Sequence, residues 1–207
     1  SNVDLKLRLE QLAQRAQTKL GGIYTMELGS KGTTANAALM GLGNTKRIVL
    51  SDTLLQRYSP PEIEVITAHE LGHHLHRDIF RLLVIQSVIW LVGFYVADLA
   101  LQASVMLWGF NGISDIAALP LLMLILATFS LLVMPLTNAY SRHLEEAADE
   151  YALRLTDDPK SFINAMTKLT DQNLSEAQPS RWVELIIYDH PSYNKRVEHA
   201  GYYSTHR

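Results

Sequence analysis

Two long apolar segments dominate the pattern of hydrophobic and polar positions along this chain. Residues 82–97 contain no charged side chain, and residues 116–136 contain none over 21 positions. A helix of about 20 apolar residues spans the hydrocarbon core of a bilayer. The second segment reaches that length, and the first reaches it if its helix begins near Ile79 or continues past Asp98. We therefore expect a membrane hairpin over 82–141. The alternative is a pair of helices buried in a soluble core.

Outside the hairpin, the pattern predicts amphipathic helices and a small sheet. Apolar residues recur at helical spacing over 3–20, and the glycines at 21 and 22 are expected to end that helix. Three short runs are typical of strands: 23–28, 36–42 and 46–50, the last two forming a hairpin around 43–45. The predicted fold class is therefore α+β, mainly helical, with a small β-sheet.

Start and stop signals predict the remaining helices. Ser51 is expected to cap a short helix, and the SPPE sequence at 59–62 is a capping-box start for a helix that runs on toward the membrane. After the hairpin we expect a helix over 136–155, a stop at 157–159 and another helix over 160–173. The tail from 179 onward is expected to mix short helices and loops.

The charges are distributed unevenly, and this predicts an orientation. All 18 lysines and arginines lie in 1–81 and 142–207, whereas the expected connecting loop at 98–115 carries two aspartates and no cation. The positive-inside rule then places both soluble segments in the cytoplasm. The predicted organisation is one discontinuous domain formed by 1–81 and 142–207, interrupted by the hairpin insertion at 82–141.

Composition excludes several classes of function. A net charge of −3 leaves no basic surplus for nucleic acid, which we exclude as a partner. The chain has no cysteine, so disulfides and thiolate metal sites are excluded. Histidine, glutamate and aspartate remain as metal ligands.

The sequence HELGH at 69–73 indicates metal-dependent hydrolysis. On a helix, His69 and His73 lie on the same face, where two imidazoles can bind one Zn²⁺ at about 2.0–2.1 Å each. Glu70 lies beside the first of them, where a carboxylate can take a proton from the attacking water. This motif supplies two metal ligands, so a third ligand has to come from elsewhere in the chain.

Two sources of a third ligand lie close to the motif. A metzincin would need glycine at 75 and histidine at 79, but these are Leu75 and Ile79. His76 lies near the same helical face, yet three ligands on one straight helix surround a tetrahedral ion poorly. His74 points away from His73 and is expected at a surface or interface.

The acidic helix after the hairpin offers a better candidate. Helix geometry places Arg142, Glu145 and Asp149 on one stripe, whereas Glu146 and Glu150 fall on a neighbouring face where arginines of the same helix can pair with them. We therefore expect Glu145 to be the third ligand and Asp149 to hydrogen-bond the distal nitrogen of a ligating histidine. The alternative is that this acidic run is a solvated helix face.

Four stretches together resemble a known family. They are ANAALMGLGNTKRIVLSDTLL at 35–55, SPPEIEVITAHELGH at 59–73, NAYSRHLEEAADEYA at 138–152 and DHPSYNKR at 189–196. The chain resembles the integral-membrane zinc metalloproteases of the CAAX prenyl protease type 1 group, with HtpX as a relative. The resemblance covers most of the chain, and its SRxxExxAD pattern is much more specific than HExxH.

The resemblance implies a zincin-like protease core, with the hairpin inserted between HExxH and the third-ligand helix. It implies that Glu145 completes the zinc site and that Asn138, His190 and Arg196 bind or polarise the scissile carbonyl. It also implies cleavage on the cytoplasmic side. The CAAX proteases carry several more membrane helices around a large chamber. Either such helices precede this segment or the chain is a compact relative.

These expectations combine into one hypothesis, a membrane zinc endopeptidase with one Zn²⁺ per chain. Glu70 is general base, and the strand that begins at Asn36 and Ala37 pairs with extended substrate as a sheet edge. The expected partners are the lipid bilayer and a peptide or protein, prenylated or membrane-bound. The expected location is multi-pass in a bacterial inner membrane or an endoplasmic reticulum. The alternatives are HtpX-like quality control of membrane proteins and a non-catalytic scaffold braced by zinc.

Overall fold

The computed structural model describes residues 2–27, 36–41, 45–172 and 176–206, without the side chains of Asn2 and Met106. The helices are α1 (Asn2–Arg15), α2 (Asp52–Arg57), α3 (Pro60–His76), α4 (Asp78–Trp108), α5 (Leu119–Thr156), α6 (Pro159–Gln172), α7 (Arg181–Ile186) and α8 (Tyr193–Thr205). The strands are β1 (Gly22–Met26), β2 (Ala37–Met40) and β3 (Arg47–Ser51). This confirms the predicted α+β, mainly helical class with two long apolar helices after the HELGH helix, and the second of them, α5, also carries Glu145.

The sheet has three strands in the order β1-β3-β2. β1 runs parallel to β3, and β2 runs antiparallel to it, so β2 occupies an edge as predicted. The end of the predicted first strand at Leu28 and most of the predicted turn between β2 and β3 lie outside the described residues. One edge of β2 therefore has no strand paired to it among the described residues.

The first helix is shorter than predicted. α1 ends at Arg15 rather than at the glycines, because the chain turns at Ala16 and Gln17, whose φ is 50°. The amide of Gly21 then donates to the carbonyl of Lys46 at 2.6 Å and directs the chain into the sheet. Tertiary pairing with the sheet therefore overrides the helical spacing of residues 16–20.

The two caps before the motif form as expected. Ser51 Oγ accepts from the amide of Leu54 at 3.1 Å, which starts α2. The amide of Ser59 donates to Glu62 Oε2 at 2.7 Å, which is one half of the capping box that starts α3. α3 then packs between α5, α6 and the sheet, and its apolar face joins the core.

α3 does not run on into the membrane as one helix. It stops at Arg77, whose φ of 57° lies in the left-handed region, and α4 begins at the next residue. Because of this break, Asp78 begins α4 while lying back against the last turn of α3. Of the two alternatives that the sequence left open, a continuous helix does not occur and a new helix beginning near Ile79 does. The break has a consequence for the metal centre.

The hairpin helices are longer than the apolar pattern suggests. α4 continues past Asp98 to Trp108, which the sequence allowed, although the predicted loop began at 98; within the helix Asp98 accepts a hydrogen bond from Gln102 at 2.7 Å. The predicted loop at 98–115 therefore shrinks to about 109–115. α5 is one continuous helix through Pro135, and the separate helix expected from Leu136 does not occur.

Two segments, Asp78–Val105 and Ile116–Thr156, are long and apolar enough to cross a membrane. Only 6% of the most apolar window of each is buried within the protein. Core helices of a soluble domain would be mostly buried, so the outward-facing apolar surface favours the membrane hairpin over that alternative. The division into one soluble domain and a hairpin insertion stays a prediction.

Candidate metal centre and cleft

His69 and His73 lie on one face of α3, with their Nε2 atoms 3.0 Å apart. α5 brings Glu145 to them: one carboxylate oxygen lies 3.4 Å from His69 Nε2 and the other 3.2 Å from His73 Nε2. Gly72 permits this approach, because a Cβ there would lie 3.2 Å from the Ala148 Cα of α5. The structure thus brings together the three side chains that the sequence predicts as ligands.

The three donor atoms fit a tetrahedral metal ion. Bonds of about 2.0–2.1 Å at the tetrahedral angle set ligand atoms about 3.3–3.4 Å apart, close to the separations seen here. His73 Nδ1 hydrogen-bonds to Asp78 at 2.9 Å, and His69 Nδ1 lies 2.9 Å from Asp149 Oδ1 outside hydrogen-bond geometry. The carboxylate beside each Nδ1 favours a proton on that nitrogen. The two Nε2 atoms then face one another and Glu145, where together they could hold a metal ion.

The pKa values of the two histidines also indicate that a positive charge is favoured at this position. Burial acts to lower the pKa of His69, but the carboxylates of Asp149 and Glu145 outweigh it and raise the pKa to about 10. For His73, burial likewise acts to lower the pKa, and the bonds to Glu145 and Asp78 raise it overall. A bound cation would balance the nearby carboxylates in place of the extra protons on the two histidines.

Asp149 and Asp78 orient the two imidazoles. Asp149 Oδ1 lies 2.9 Å from His69 Nδ1, the placement expected from its position one turn after Glu145. Asp78 Oδ2 lies 2.9 Å from His73 Nδ1, and the Asp78 side chain is only 3% exposed. The sequence analysis missed Asp78. Its signal was an acidic residue directly before an apolar segment, five positions after a predicted ligand.

Arg196 holds the carboxylate of Asp149 from the other side. Its Nε and one terminal nitrogen lie 2.7 and 2.5 Å from the two Asp149 oxygens, a bidentate ion pair. A chain of contacts therefore runs from Arg196 through Asp149 to His69. Arg196 also lines the cleft beside the metal centre, and its predicted role at the scissile carbonyl stays a prediction.

His190 reaches the metal centre from the loop between α7 and α8. Its Nδ1 lies 3.0 Å from Glu145 Oε2, and its side chain is 56% exposed toward the cleft. The hydrogen bond to Glu145 raises the pKa of His190 above its ordinary value, against the effect of burial. The sequence alone did not link this histidine to HELGH; only the resemblance did.

Arg142 and Glu184 position that loop. One Arg142 nitrogen donates to the carbonyls of Glu184 at 3.0 Å and Tyr188 at 2.5 Å. The Glu184 carboxylate accepts from the amide of Ser192 at 3.1 Å. The sequence expectation that arginines pair with the acids on the neighbouring face of α5 holds for Arg154 and Glu150, 2.5 Å apart, whereas Arg142 turns to the loop.

Asn138 lies on the same stripe of α5 but contacts α7 instead of the cleft. Its side-chain amide donates to the carbonyl of Ile186 at 2.6 Å. It is not among the residues that line the cleft, so its predicted role toward the scissile carbonyl stays a prediction. What the structure shows is a tie between α5 and α7.

Glu70 lines the cleft next to the three candidate ligands. Burial raises its pKa above the ordinary value, opposed by the nearby His69 and His73. A carboxylate whose pKa lies closer to neutrality is a better general base at physiological pH. The cleft has a volume of about 510 Å³, and Asn36 and Ala37 at the start of β2 form part of its wall.

The two other histidines near the motif take no part in the centre. The ring of His76 packs edge-on against Tyr151, with centroids 6.0 Å apart. His74 is half-buried on another face of α3, and burial lowers its pKa. Both placements agree with the expectation that neither one completes the site.

The chain is similar to a protein-family model, to several named proteins and to a solved structure. The family model for Peptidase family M48 matches residues 1–204. The chain is 34% identical over 203 residues to the uncharacterized metalloprotease YhfN of Bacillus subtilis (strain 168), covering 96% of this chain and 48% of the relative. It is 29% identical over 196 residues to a rice CAAX prenyl protease 1 homolog, covering 93% and 46%.

A second bacterial relative and a solved structure are also similar to this chain. A Protease HtpX homolog of Acaryochloris marina is 28% identical over 209 residues, covering 91% of this chain and 68% of the relative. The crystal structure of S. mikatae Ste24p superposes with a TM-score of 0.82 at 25% identity, covering 95% of this chain and 49% of that one. The chain spans about half the length of YhfN and of the rice relative.

Proposed function

Because the chain belongs to peptidase family M48, we propose that it is a membrane-embedded zinc metalloendopeptidase that cleaves peptide bonds on the cytoplasmic side of the membrane. The observation that carries the proposal is the convergence of His69, His73 and Glu145 from two helices on one point at the wall of a cleft. Two nitrogens and one carboxylate oxygen are the donor set of catalytic zinc sites of the two-histidine-one-glutamate type.

His69, His73 and Glu145 would hold Zn²⁺ with three ligands, and a three-ligand site of this type would keep a further position for substrate chemistry at the cleft. When bound there, Zn²⁺ supplies Lewis-acid polarisation of the scissile carbonyl and of the attacking water. Glu70 takes the proton from that water and delivers it to the leaving amine. The raised pKa of Glu70 suits both steps, since the group has to accept a proton and then release it.

His190 is the strongest candidate to stabilise the oxyanion. Its side chain is half-exposed to the cleft, and its raised pKa favours the cationic form. Arg196 and Asn138, which the family resemblance assigns to the same task, already bind Asp149 and the Ile186 carbonyl. We therefore place His190 in direct contact with the oxyanion and the other two behind it. Loss of one such donor typically costs about 10²–10³ in rate.

Extended substrate backbone would pair with β2. This strand lies at the sheet edge, and Asn36 and Ala37 open onto the cleft. Addition of a peptide strand to a sheet edge satisfies main-chain groups independently of the peptide's sequence. Specificity then has to come from side chains farther along the cleft wall, including Met166 and Leu169 of α6.

The test of the enzyme is a comparison of wild type with Glu70→Gln. The variant should bind zinc with wild-type stoichiometry and lose peptide cleavage, because the ligands stay while the base is removed. Cleavage at the wild-type rate by Glu70→Gln would remove Glu70 from its role. A fourth protein ligand in an anomalous-scattering map would instead favour the zinc-braced scaffold.

Two substrate classes follow from the relatives' names. A farnesylated CAAX peptide and its unmodified twin separate C-terminal processing of prenylated proteins from HtpX-like turnover of membrane proteins. Strong preference for the farnesylated peptide would support the first, and equal cleavage would support the second.

The proposed orientation can be tested with the thiol-free chain. A single cysteine at Asn111, in the loop between α4 and α5, should react with an impermeant reagent from outside intact cells. A cysteine at Tyr202 on α8 should react only after permeabilisation. The reverse pattern would contradict the cytoplasmic placement.

A further inference from the structure

α7 and the residue after it expose an unusual amount of apolar surface for a segment that precedes an active-site loop. The most exposed members are Trp182 at 74% and Ile187 at 63%. We call the five exposed apolar residues the α7 patch: Trp182, Val183, Leu185, Ile186 and Ile187. The acidic residue among them, Glu184, turns inward, where its side chain pairs with Lys195 at 2.9 Å. Four of these apolar side chains lie on α7 itself, and the fifth, Ile187, follows α7 and also lines the cleft, so the α7 patch adjoins the cleft. Arg181 is the charged residue at the start of α7.

Two contacts fix the height of this patch along α5. The side-chain amide of Asn138 binds the Ile186 carbonyl at 2.6 Å, and Asn138 lies two residues beyond the end of the apolar segment at Leu136. Arg142 binds the Glu184 and Tyr188 carbonyls at 3.0 and 2.5 Å. At about 1.5 Å per helical residue, these anchors lie about 3 Å and about 9 Å beyond Leu136.

That height matches the headgroup region of a bilayer. The difference between the full bilayer thickness and its hydrocarbon core leaves about 5–8 Å of polar interface on each side. If the apolar part of α5 spans the core, α7 lies in that layer and not in bulk water. Tryptophan is enriched at this depth, because its ring is apolar while its N–H still reaches water and headgroups.

We propose that the α7 patch is a membrane-contact surface that rests in the headgroup region of the bilayer. The inference rests on the proposed membrane embedding of the hairpin and adds a second, separate contact with lipid. The binding partner is the lipid surface itself. α7 is tied by Asn138 and Arg142 to the helix that leaves the bilayer, and its acidic side chain, Glu184, is held on the protein side.

This contact has a consequence for the cleft. Only three residues separate Ile186, the last residue of α7, from His190, and the same Arg142 that anchors α7 binds the Tyr188 carbonyl. Lipid contact at α7 therefore sets the height of the His190 loop above the membrane. The cleft opens beside the bilayer surface and not far out in the cytoplasm.

Tryptophan fluorescence tests the proposal, because the chain has only three tryptophans. A variant that keeps Trp182 alone, with Trp90→Phe and Trp108→Phe, is reconstituted in phosphatidylcholine bilayers brominated near the headgroups or near the chain ends. Emission of Trp182 should lose more intensity with shallow bromines than with deep ones, and aqueous iodide should quench it weakly.

Two reference variants make the readout quantitative. A chain that keeps Trp90 alone reports a lipid-facing position on α4, where that side chain is 44% exposed. Tyr202→Trp in a tryptophan-free chain reports a water-exposed position on α8, where the native side chain is 62% exposed, similar to Trp182. Trp182 should fall between them in iodide quenching and exceed both in its preference for shallow bromines.

The outcomes separate this proposal from the proposed function. If Trp90 is quenched by bromolipid while Trp182 behaves like the residue at 202, the hairpin is embedded but α7 is in water, and the inference is wrong. Shielding of Trp182 from both quenchers would mean that protein covers the patch, which also overturns it. If Trp90 too escapes bromolipid, the membrane embedding itself fails.

A second measurement avoids the tryptophan substitutions. A spin label on Leu185→Cys in the otherwise native, cysteine-free chain should collide more often with oxygen than with a water-soluble nickel complex. A label on Tyr202→Cys should show the opposite ratio. Equal ratios at the two positions would contradict the proposal even if the fluorescent variants misfold.

Discussion

Replacement of Asp78 tests whether the break between α3 and α4 serves the metal centre. Asp78 is the first residue of an apolar helix, yet its carboxylate is buried and lies 2.9 Å from the Nδ1 atom of His73. Asp78→Ala removes the acceptor and the charge. Asp78→Asn keeps an oxygen that can accept the same hydrogen bond and removes only the charge. The pair of variants therefore separates orientation of the ring from its electrostatics.

The expected magnitude follows from the contact. Loss of a partner that orients a ligating histidine typically weakens metal binding about 10–100-fold. The Asp78 side chain is 3% exposed, so water cannot replace it easily, and we expect Asp78→Ala near the upper end. Asp78→Asn should fall near tenfold. Each tenfold step corresponds to about 1.4 kcal/mol of binding free energy.

Zinc affinity is measured by competition with a chromophoric chelator, on detergent-solubilised protein stripped of metal. Asp98→Asn is the matched control, because Asp98 is an exposed aspartate on the same helix that accepts a hydrogen bond from Gln102. It should bind zinc with wild-type affinity. Thermal unfolding of the metal-free proteins shows whether Asp78 also supports the start of α4, where a carboxylate favours the helix dipole by about 0.3–1 kcal/mol.

The reasoning would be refuted by zinc affinity in Asp78→Ala that equals that of Asp98→Asn. It would also be refuted if the metal-free stability fell while zinc affinity stayed unchanged, since Asp78 would then serve the helix alone. A graded loss, larger for alanine than for asparagine, is the result that the geometry predicts.

Three further predictions use other contacts. Glu145→Ala should abolish stoichiometric zinc binding and cleavage, whereas Glu146→Ala on the exposed face should change neither; loss in both would point to general disruption of α5. Arg142→Met should lower kcat at least about tenfold while zinc content stays at one per chain, since it frees the loop between α7 and α8 without touching a ligand. Burial acts to raise the pKa of Glu62, but its bond with Lys168 and those at the start of α3 lower the pKa overall, so the folded state gains stability from the ionised form. The free energy of unfolding should therefore fall as pH drops below about 4.5, and this decline should be smaller in Glu62→Gln than in wild type in urea titrations, since Glu145, Asp149 and Glu184 also have lowered pKa values.

Local signals in the sequence predicted the elements that carry the site. The serine caps start α2 and α3, since a cap depends on residues at most three positions away. The periodicity of the acidic run separated Glu145 from Glu146, and the structure places Glu145 at both histidines. The zinc-binding and catalytic roles of these residues stay predictions.

The predicted helix boundaries and side-chain pairings were wrong where a tertiary contact outweighs the local preference of the chain. Residues 16–20 have helical spacing, but the sheet takes the chain at Gly21. The apolar pattern does not mark Arg77 as the point where α3 ends. It also suggested that a new helix starts at Leu136, whereas α5 continues through Pro135. Arg142 had an acidic neighbour at helical spacing and instead bonds to two carbonyls more than forty residues away.

By itself, the sequence determined which chemistry the chain carries: two histidines one turn apart, a glutamate between them, an acidic helix and two uncharged spans. These depend on spacing along one element, which the geometry of a helix sets without reference to the rest of the chain. The tertiary structure alone decided how that chemistry is supported. Asp78, Arg142 and Glu184 act across separate elements, and only folding brings such residues together.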